Sequence, residues 1–313
     1  RAMKTVLGLD TSNYTTSAAV LKNATIYQSK LLLPVKKGEK GLRQSEAVFH
    51  HINQLPQVIK TLQAHFTQTP PGLLGASDAP RREAGSYMPC FTVGLSAARV
   101  LSDVLKVPLY TFSHQQGHIA AALYSAEKLE LLEQPFLAFH VSGGTTEALL
   151  VKPDREEICK TQVVAGTLDL NAGQAIDRTG VMLGLSFPCG KDLEQLALGC
   201  DEEIKVRPVL KGTNCCLSGL ENICANLKRK GAPDAYVAKY CLKYVEQTLV
   251  LMCEKLLMQY AKLPVLFAGG VMSNAMIQKI LAKRFSAFFA APEFSCDNAA
   301  GIAVLANLKE NGF

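Results

Sequence analysis

The sequence predicts an α/β protein built from two related halves with a cleft between them. Three observations carry that prediction. Strand-like and helix-like stretches alternate along the 313 residues, the pattern of sheets covered by helices. A hairpin pattern of apolar strand, small polar turn and second strand opens the chain and returns about 130 residues later, at 135–151, as in a duplicated domain. Three turns rich in glycine or hydroxyl residues, at 10–13, 142–146 and 269–274, follow strand-like runs. The expected division is 1–130 plus 297–313 for the first half and 131–296 for the second.

The elements follow in order. Val6-Leu7-Gly8-Leu9 is a short apolar strand and Asp10-Thr11-Ser12-Asn13 reads as turn chemistry. Strands over 15–20 and 26–33 complete the first hairpin layer. Val48, Ile52, Leu55, Val58, Ile59 and Leu62 recur at helical spacing over 45–62, with Pro56 predicting a kink or break. Residues 68–90 are rich in Pro, Gly and Ser and read as one long loop. A helix over 93–105 and a strand over 108–110 lead into the stretch 111–123, TFSHQQGHIAAAL. In the second half, strands are expected at 159–165, 264–268 and 288–291. Helices are expected at 172–183, 193–197, 220–228, 233–260, 273–285 and 297–308. Pro233 suits a first helical turn, and Asp297 or Ser295 a helix cap.

Composition excludes several classes. Apolar residues make up 48% and charged residues 19% of the chain, as in a globular protein of about two domains. No apolar run approaches the roughly 20 residues of a membrane-spanning helix. The opening RAMKTVLGLD lacks the apolar core and cleavage site of a secretory signal. Ten Cys without a CxxC pair argue for reduced thiols in a cytoplasmic protein rather than a zinc ribbon or disulfide scaffold. The net charge of +6 is spread out and leans only weakly toward an anionic partner, its densest run being Lys228-Arg229-Lys230.

His114 and His118 stand four residues apart. On a helix they share a face, so both imidazoles can address one metal ion. A third ligand would come from His50, His51, His65 or His140, a carboxylate, a Tyr or a Cys. The three turns offer backbone N–H groups and close approach for phosphate oxygens, which suits a nucleotide. This layout resembles the actin, hexokinase and Hsp70 superfamily: an actin-like ATPase fold of duplicated ribonuclease H-like domains with an interdomain cleft.

The motifs LGLDTSNYTTSAAV, HQQGH, VSGGTTE, DLNAGQAIDRTGVMLGLSFPCG, CLSGLEN, FAGGVMSN and CDNAAGIA occur in that order along the chain. With them the chain resembles the TsaD/Gcp family, formerly labelled O-sialoglycoprotein endopeptidase. The resemblance implies a metal site of His114, His118 and Asp297, holding Fe(II) or Zn(II). It implies that Ser142, Gly143, Gly144 and Thr145 hold the phosphate of an adenine nucleotide or threonylcarbamoyl-adenylate. It places Asp177, Gly190 and Glu194 at the ribose and base, and Asn274 on the adenosine side. The implied reaction transfers a threonylcarbamoyl group from the adenylate to the N6 amine of an adenosine in tRNA, with partner proteins of that pathway and, as a further option, a homodimer. Lys36, Lys37 and residues 228–230 would face tRNA phosphates.

Three departures stand out. The family's first loop usually reads ETSCDET; here Tyr14 and Thr15 replace its two acidic residues. A GPG-containing stretch is replaced by Arg81-Arg82-Glu83-Ala84-Gly85-Ser86-Tyr87, and GEAFDK has become Gly173-Gln174-Ala175-Ile176-Asp177-Arg178. The pattern is that of a diverged paralogue. Two alternatives stay open: a carbamoyltransferase on another acceptor, and a non-catalytic nucleotide-binding subunit of the same system.

Overall fold

The structure, a computed structural model, describes residues 4–12, 14–34, 42–67, 69–295 and 299–312. The chain divides into two compact units: Arg1–Glu133, Pro153–Thr161 and Glu293–Phe313 form unit 1, and Gln134–Lys152 with Gln162–Pro292 form unit 2.

Unit 1 holds a five-stranded sheet of β1 (Val6–Ser12), β2 (Thr15–Lys22), β3 (Thr25–Leu32), β4 (Leu73–Ala79) and β5 (Leu109–Ser113), in the order β3-β2-β1-β4-β5. β1 pairs antiparallel with β2 from Val6↔Leu21 to Ser12↔Thr15. β4 lies parallel to β1, and β5 parallel to β4. Helices α1 (Gln44–Thr61), α2 (Phe91–Leu105), α3 (His114–Ser125) and the last helix, α9 (Ala300–Asn311), belong to the same unit.

Side-chain alternation along a strand explains the layering. Leu7, Leu9, Ala18, Val20, Leu74 and Ala76 pack with Leu55 and Val58 of α1, Leu62 just beyond it, and Ala98 of α2. The intervening residues are small, and α9 lies against them. A Cβ on Gly8 would stand 2.7 Å from the Ala299 carbonyl, and one on Gly75 would stand 2.9 Å from that of Ile302. Ala19 packs with Ala121, Ala299 and Ala300.

Three expectations need correction. The stretch 68–90 is not one loop, because β4 runs through it with Leu73–Ser77 buried. Gly75 looks loop-like because α9 leaves no room for a side chain there, and Ser77 because it pairs with Asp10 rather than the core. Asp10, Thr11 and Ser12 lie in β1 rather than in a turn, and Asn13 is outside the described residues. Pro56 does not end α1, which runs on to Thr61.

Unit 2 repeats the strand order. Its sheet holds β6 (Phe136–Val141), β7 (Thr146–Asp154), β8 (Ile158–Gly166), β11 (Val265–Ala268) and β12 (Ala287–Phe289), in the order β12-β11-β6-β7-β8. As in unit 1, the first strand pairs antiparallel with its successor, and two later strands add in parallel on its other side. A short ribbon, β9 (Leu210–Lys211) with β10 (Asn214–Cys215), is separate. Helices α4 (Ala172–Met182), α5 (Gly190–Ala197), α6 (Ser218–Arg229), α7 (Asp234–Tyr260) and α8 (Ala275–Arg284) complete the unit. Phe139 stacks on Phe267 at 5.1 Å and Phe267 on Phe289 at 5.4 Å, a ladder across the parallel strands. Among the described residues no helix is long and apolar enough to cross a membrane.

Candidate metal and adenylate sites

In unit 1 the parallel strands β1, β4 and β5 end together. Their carboxyl ends carry Asp10, Ser77 and, one residue beyond β5, His114. Crevices outside the carboxyl ends of parallel strands are where open α/β sheets bind ligands. Helix α3 starts there because Ser113 caps it. The Ser113 Oγ accepts from the Gln116 N–H at 3.2 Å, and Gln116 Oε1 accepts from the Ser113 N–H at 2.7 Å, a reciprocal capping box. The helix then presents both imidazoles on one face. His118 Nε2 stands 2.8 Å from His114 Nε2. His114 Nδ1 stands 2.8 Å from Asp10 Oδ2, and Asp10 Oδ1 accepts from Ser77 Oγ at 2.6 Å.

The residues between the two His are also occupied. Gln116 Nε2 donates to the Cys159 carbonyl at 2.8 Å and to Glu157 Oε2 at 3.1 Å, and Thr161 Oγ1 donates to Gln115 Oε1 at 2.7 Å. The pair of glutamines thus ties residues 157–161 to α3. Gly117 and Gly301 let α3 and α9 meet backbone to backbone: a Cβ on Gly301 would overlap the Gly117 carbonyl. The segment 81–87 is fixed by Arg82, whose guanidinium donates to Glu157 at 2.9 Å, Asp78 at 2.6 Å and the Thr111 carbonyl at 3.3 Å. Burial works against the Arg82 charge, but these carboxylates outweigh it and raise its pKa.

Among the described residues no cluster of three or more His, Cys, Asp or Glu could hold a metal. The expected third ligand, Asp297, lies outside the described residues, as do Lys36 and Lys37. The chain re-enters at Ala299, which abuts Gly8, two residues before Asp10. The two imidazoles face each other as two nitrogen donors to one divalent ion would. An ion about 2.0–2.1 Å from each imidazole nitrogen holds two of them roughly 3.3 Å apart in tetrahedral geometry, so the two Nε2 atoms need separate only slightly. A carboxylate on the far nitrogen of a ligand His is the usual supporting arrangement.

In unit 2 the 142–145 turn follows β6 and Asn274 lies beyond β11, while Asp177 is on α4 and Gly190 and Glu194 are on α5. Ser142 Oγ accepts from the Thr145 and Gly144 N–H groups at 3.1 and 3.3 Å. An arriving anion would replace this hydroxyl as acceptor. Helix α4 begins directly against the turn: a Cβ on Gly173 would stand 2.5 Å from the Gly143 nitrogen. Gly269, at φ +103°, lies against the Val141 carbonyl and requires glycine on both counts. Asn274 caps α8 by accepting from the Ile277 N–H at 3.0 Å, and Glu194 Oε1 accepts from Met276 N–H at 3.1 Å. Asp177 Oδ1 accepts from the Cys189 N–H at 2.8 Å, beside Gly190 at the start of α5. Asp177 also lines a groove of about 440 Å³ with Arg178, Val181, Phe187 and Glu221. Asp169 receives the Leu217 and Ser218 N–H groups at 2.7 and 3.3 Å, which ties DLNAG to the helix of CLSGLEN. Burial alone would raise its pKa, but these donors and the Ser218 hydroxyl hold it below the usual carboxylate value.

The sequence profile of TsaD, tRNA N6-adenosine threonylcarbamoyltransferase, matches residues 82–304. The chain belongs to the TsaD family. It is 30% identical over 316 residues to the enzyme of that name from Thermosipho africanus, covering 96% of this chain and 92% of the relative. It is 29% identical over 296 residues to that of Bacillus subtilis, covering 90% and 82%. TsaD-family membership agrees with the fold. Full-length HypF superposes with a TM-score of 0.60 at 13% identity over 100% of this chain, which spans 57% of HypF. A ROK family glucokinase from Streptomyces griseus gives 0.52 at 10% identity, covering 98% of this chain and 100% of the kinase. The actin-like ATPase fold expected from the sequence is therefore present.

Sequence reasoning missed Asp10, Ser77, Gln115 and Gln116 as partners of α3 and its His pair. The available signal for Asp10 was an acidic residue ending an apolar run, which was read instead as turn chemistry. Ser77 sat inside the stretch taken for a loop.

Proposed function

We propose that this chain transfers a threonylcarbamoyl group from threonylcarbamoyl-adenylate to N6 of adenosine in tRNA. The observation that carries the reading is the convergence of the His114 and His118 Nε2 atoms, with Asp10 behind His114, in a member of the TsaD family. His114, His118 and Asp297 would hold one Fe(II) or Zn(II) ion. When bound, the ion supplies Lewis-acid polarisation of carbamoyl and phosphate oxygens.

The chain's own residues bind and orient. The 142–145 turn takes the adenylate phosphate on its N–H groups, with Ser142 Oγ giving up its two amide donors. Asp177 keeps Cys189 on one oxygen and accepts a ribose hydroxyl on the other. The base lies in the groove beside Phe187 and Val181, next to Gly190. Asn274 and Glu194, each anchored on the first turn of α8, border the adenosine. The N6 amine attacks the carbamoyl carbon, the carbon–oxygen bond to the phosphate breaks, AMP leaves with that oxygen, and the amine proton passes to the departing phosphate or to water; no protein nucleophile takes part. The setting is cytoplasmic, with tRNA, the partner proteins of the pathway and, as a further option, a second copy of the chain.

A second reading, carbamoyl transfer to another acceptor, is favoured by Tyr14, Thr15 and the 81–87 segment. That segment lines a groove of about 600 Å³ with Lys160 and Thr161. One experiment separates the two. The chain, its pathway partners and labelled threonine with ATP and bicarbonate are supplied with tRNA or with small amines. Label in tRNA adenosine supports the first reading. Label only in small acceptors supports the second, and no label with every partner present leaves the non-catalytic subunit.

A further inference from the structure

Asp10 is 1% exposed, and the network around it is complete. Its Oδ1 takes the Ser77 hydroxyl at 2.6 Å, its Oδ2 faces His114 Nδ1 at 2.8 Å, and its own carbonyl accepts from Ser17 Oγ at 3.2 Å. Nothing in the transfer chemistry requires a carboxylate at this depth, because the substrate would meet the opposite nitrogen of His114. A buried carboxylate is costly unless it is fully hydrogen-bonded, so its retention calls for a task.

We propose that Asp10, oriented by Ser77, is the positioning residue of the metal centre. It fixes His114 as the Nδ1–H tautomer and so keeps the Nε2 lone pair pointed at the ion. The register of the sheet makes this geometry. β1 and β4 run parallel with Leu9 opposite Ala76, so the next residues, Asp10 and Ser77, are neighbours at the strand ends. β4 in turn pairs with β5 through Ser77↔Phe112 and Ala79↔Ser113, with a bulge between. That bulge lies directly before His114. In the metal-free chain the same tautomer lets His118 Nε2–H donate to His114 Nε2 across 2.8 Å. Loading an ion then asks only that the His118 proton move from Nε2 to Nδ1, with no change at the Asp10 side. The support behind His114 is held by paired strands rather than by a loop, so little reorganisation accompanies loading.

This inference rests on the metal reading above, and its test separates the two. Long-range proton–nitrogen correlation spectra of the metal-free chain, with 15N-labelled histidine, read the His114 tautomer directly. The Nδ1–H form is expected in the wild type. In Asp10→Asn the amide NH2 donates to Nδ1 and the Nε2–H form is expected. Zn(II) affinity is measured in parallel by chelator competition. Asp10→Asn should weaken binding by about 10- to 100-fold, and Ser77→Ala, which leaves the carboxylate in place, should weaken it by a smaller factor. A His114 that is Nε2–H in the wild type overturns the proposal, as does an Asp10→Asn chain with wild-type tautomer and wild-type Zn(II) affinity. The wild-type spectrum needs no variant to fold. A wild-type chain with the expected tautomer but no Zn(II) binding would sink the metal reading while leaving Asp10 as the residue that orients His114.

Discussion

Gly301→Ala is the sharpest structural perturbation of unit 1. The added Cβ would overlap the Gly117 carbonyl and also stand 2.7 Å from the Ala121 nitrogen. All these neighbours are helix backbone, so no side chain can rotate away. Helices α3 and α9 must part by on the order of 1 Å to restore normal contact distances. α9 is simultaneously seated on Gly8 and Gly75, so the shift propagates to the sheet. Overpacking of this kind costs about 1–3 kcal/mol, and the backbone contact puts Gly301→Ala at the upper end. That corresponds to a fall in melting temperature of roughly 6–12 °C for a domain of this size. Gly219→Ala is the control. Gly219 sits in α6 with nothing within 4 Å of its Cβ position, so the substitution should stabilise by about 0.4–1 kcal/mol. Urea and thermal unfolding of both variants measure the difference. Equal stabilities would refute the close approach of α3 and α9.

Two further predictions address the supports of the site. Gln116→Leu removes the acceptor of the Ser113 N–H and the donor to the Cys159 carbonyl. Each buried orphan costs about 1–3 kcal/mol, so a loss of about 2–6 kcal/mol is expected in urea unfolding, with faster hydrogen exchange at 157–161. Unchanged exchange there would refute the clamp. Burial, chiefly, pushes Cys159 and Cys253 up to about 12 and Cys215 up to about 11. These thiols stay neutral in the folded chain while unfolded ones ionise near 8.5. Their contribution is therefore complete below about pH 8.5 and is lost as pH rises toward 11–12. The urea midpoint should fall between pH 7.5 and pH 10, and less steeply in Cys159→Ala; a flat profile would contradict this.

What was legible in the sequence was chemistry with a period or a motif. The repeat of the opening hairpin at 135–151 announced the duplication, and both sheets have the same strand order. The His pair declared itself because an i, i+4 spacing maps onto one helix face. What failed were positions whose composition answers to a distant partner. Gly75 and Ser77 look like loop residues until α9 and Asp10 are placed beside them. Asp10 reads as a turn former locally, and only the register of β1 against β4 reveals it behind His114. Pro56 breaks an average helix, yet α1 carries through it while its buried residues, Leu55 and Val58 among them, remain packed.

The account turns on a metal-dependent transfer onto tRNA at the His114–His118 pair. The direct measurement is label from threonine in tRNA adenosine, made by the chain with its pathway partners, before and after chelation. The account predicts incorporation that chelation abolishes, that Fe(II) or Zn(II) restores, and that His114→Ala and His118→Ala lack. Full incorporation by the chelated chain, or by either His variant, would contradict it.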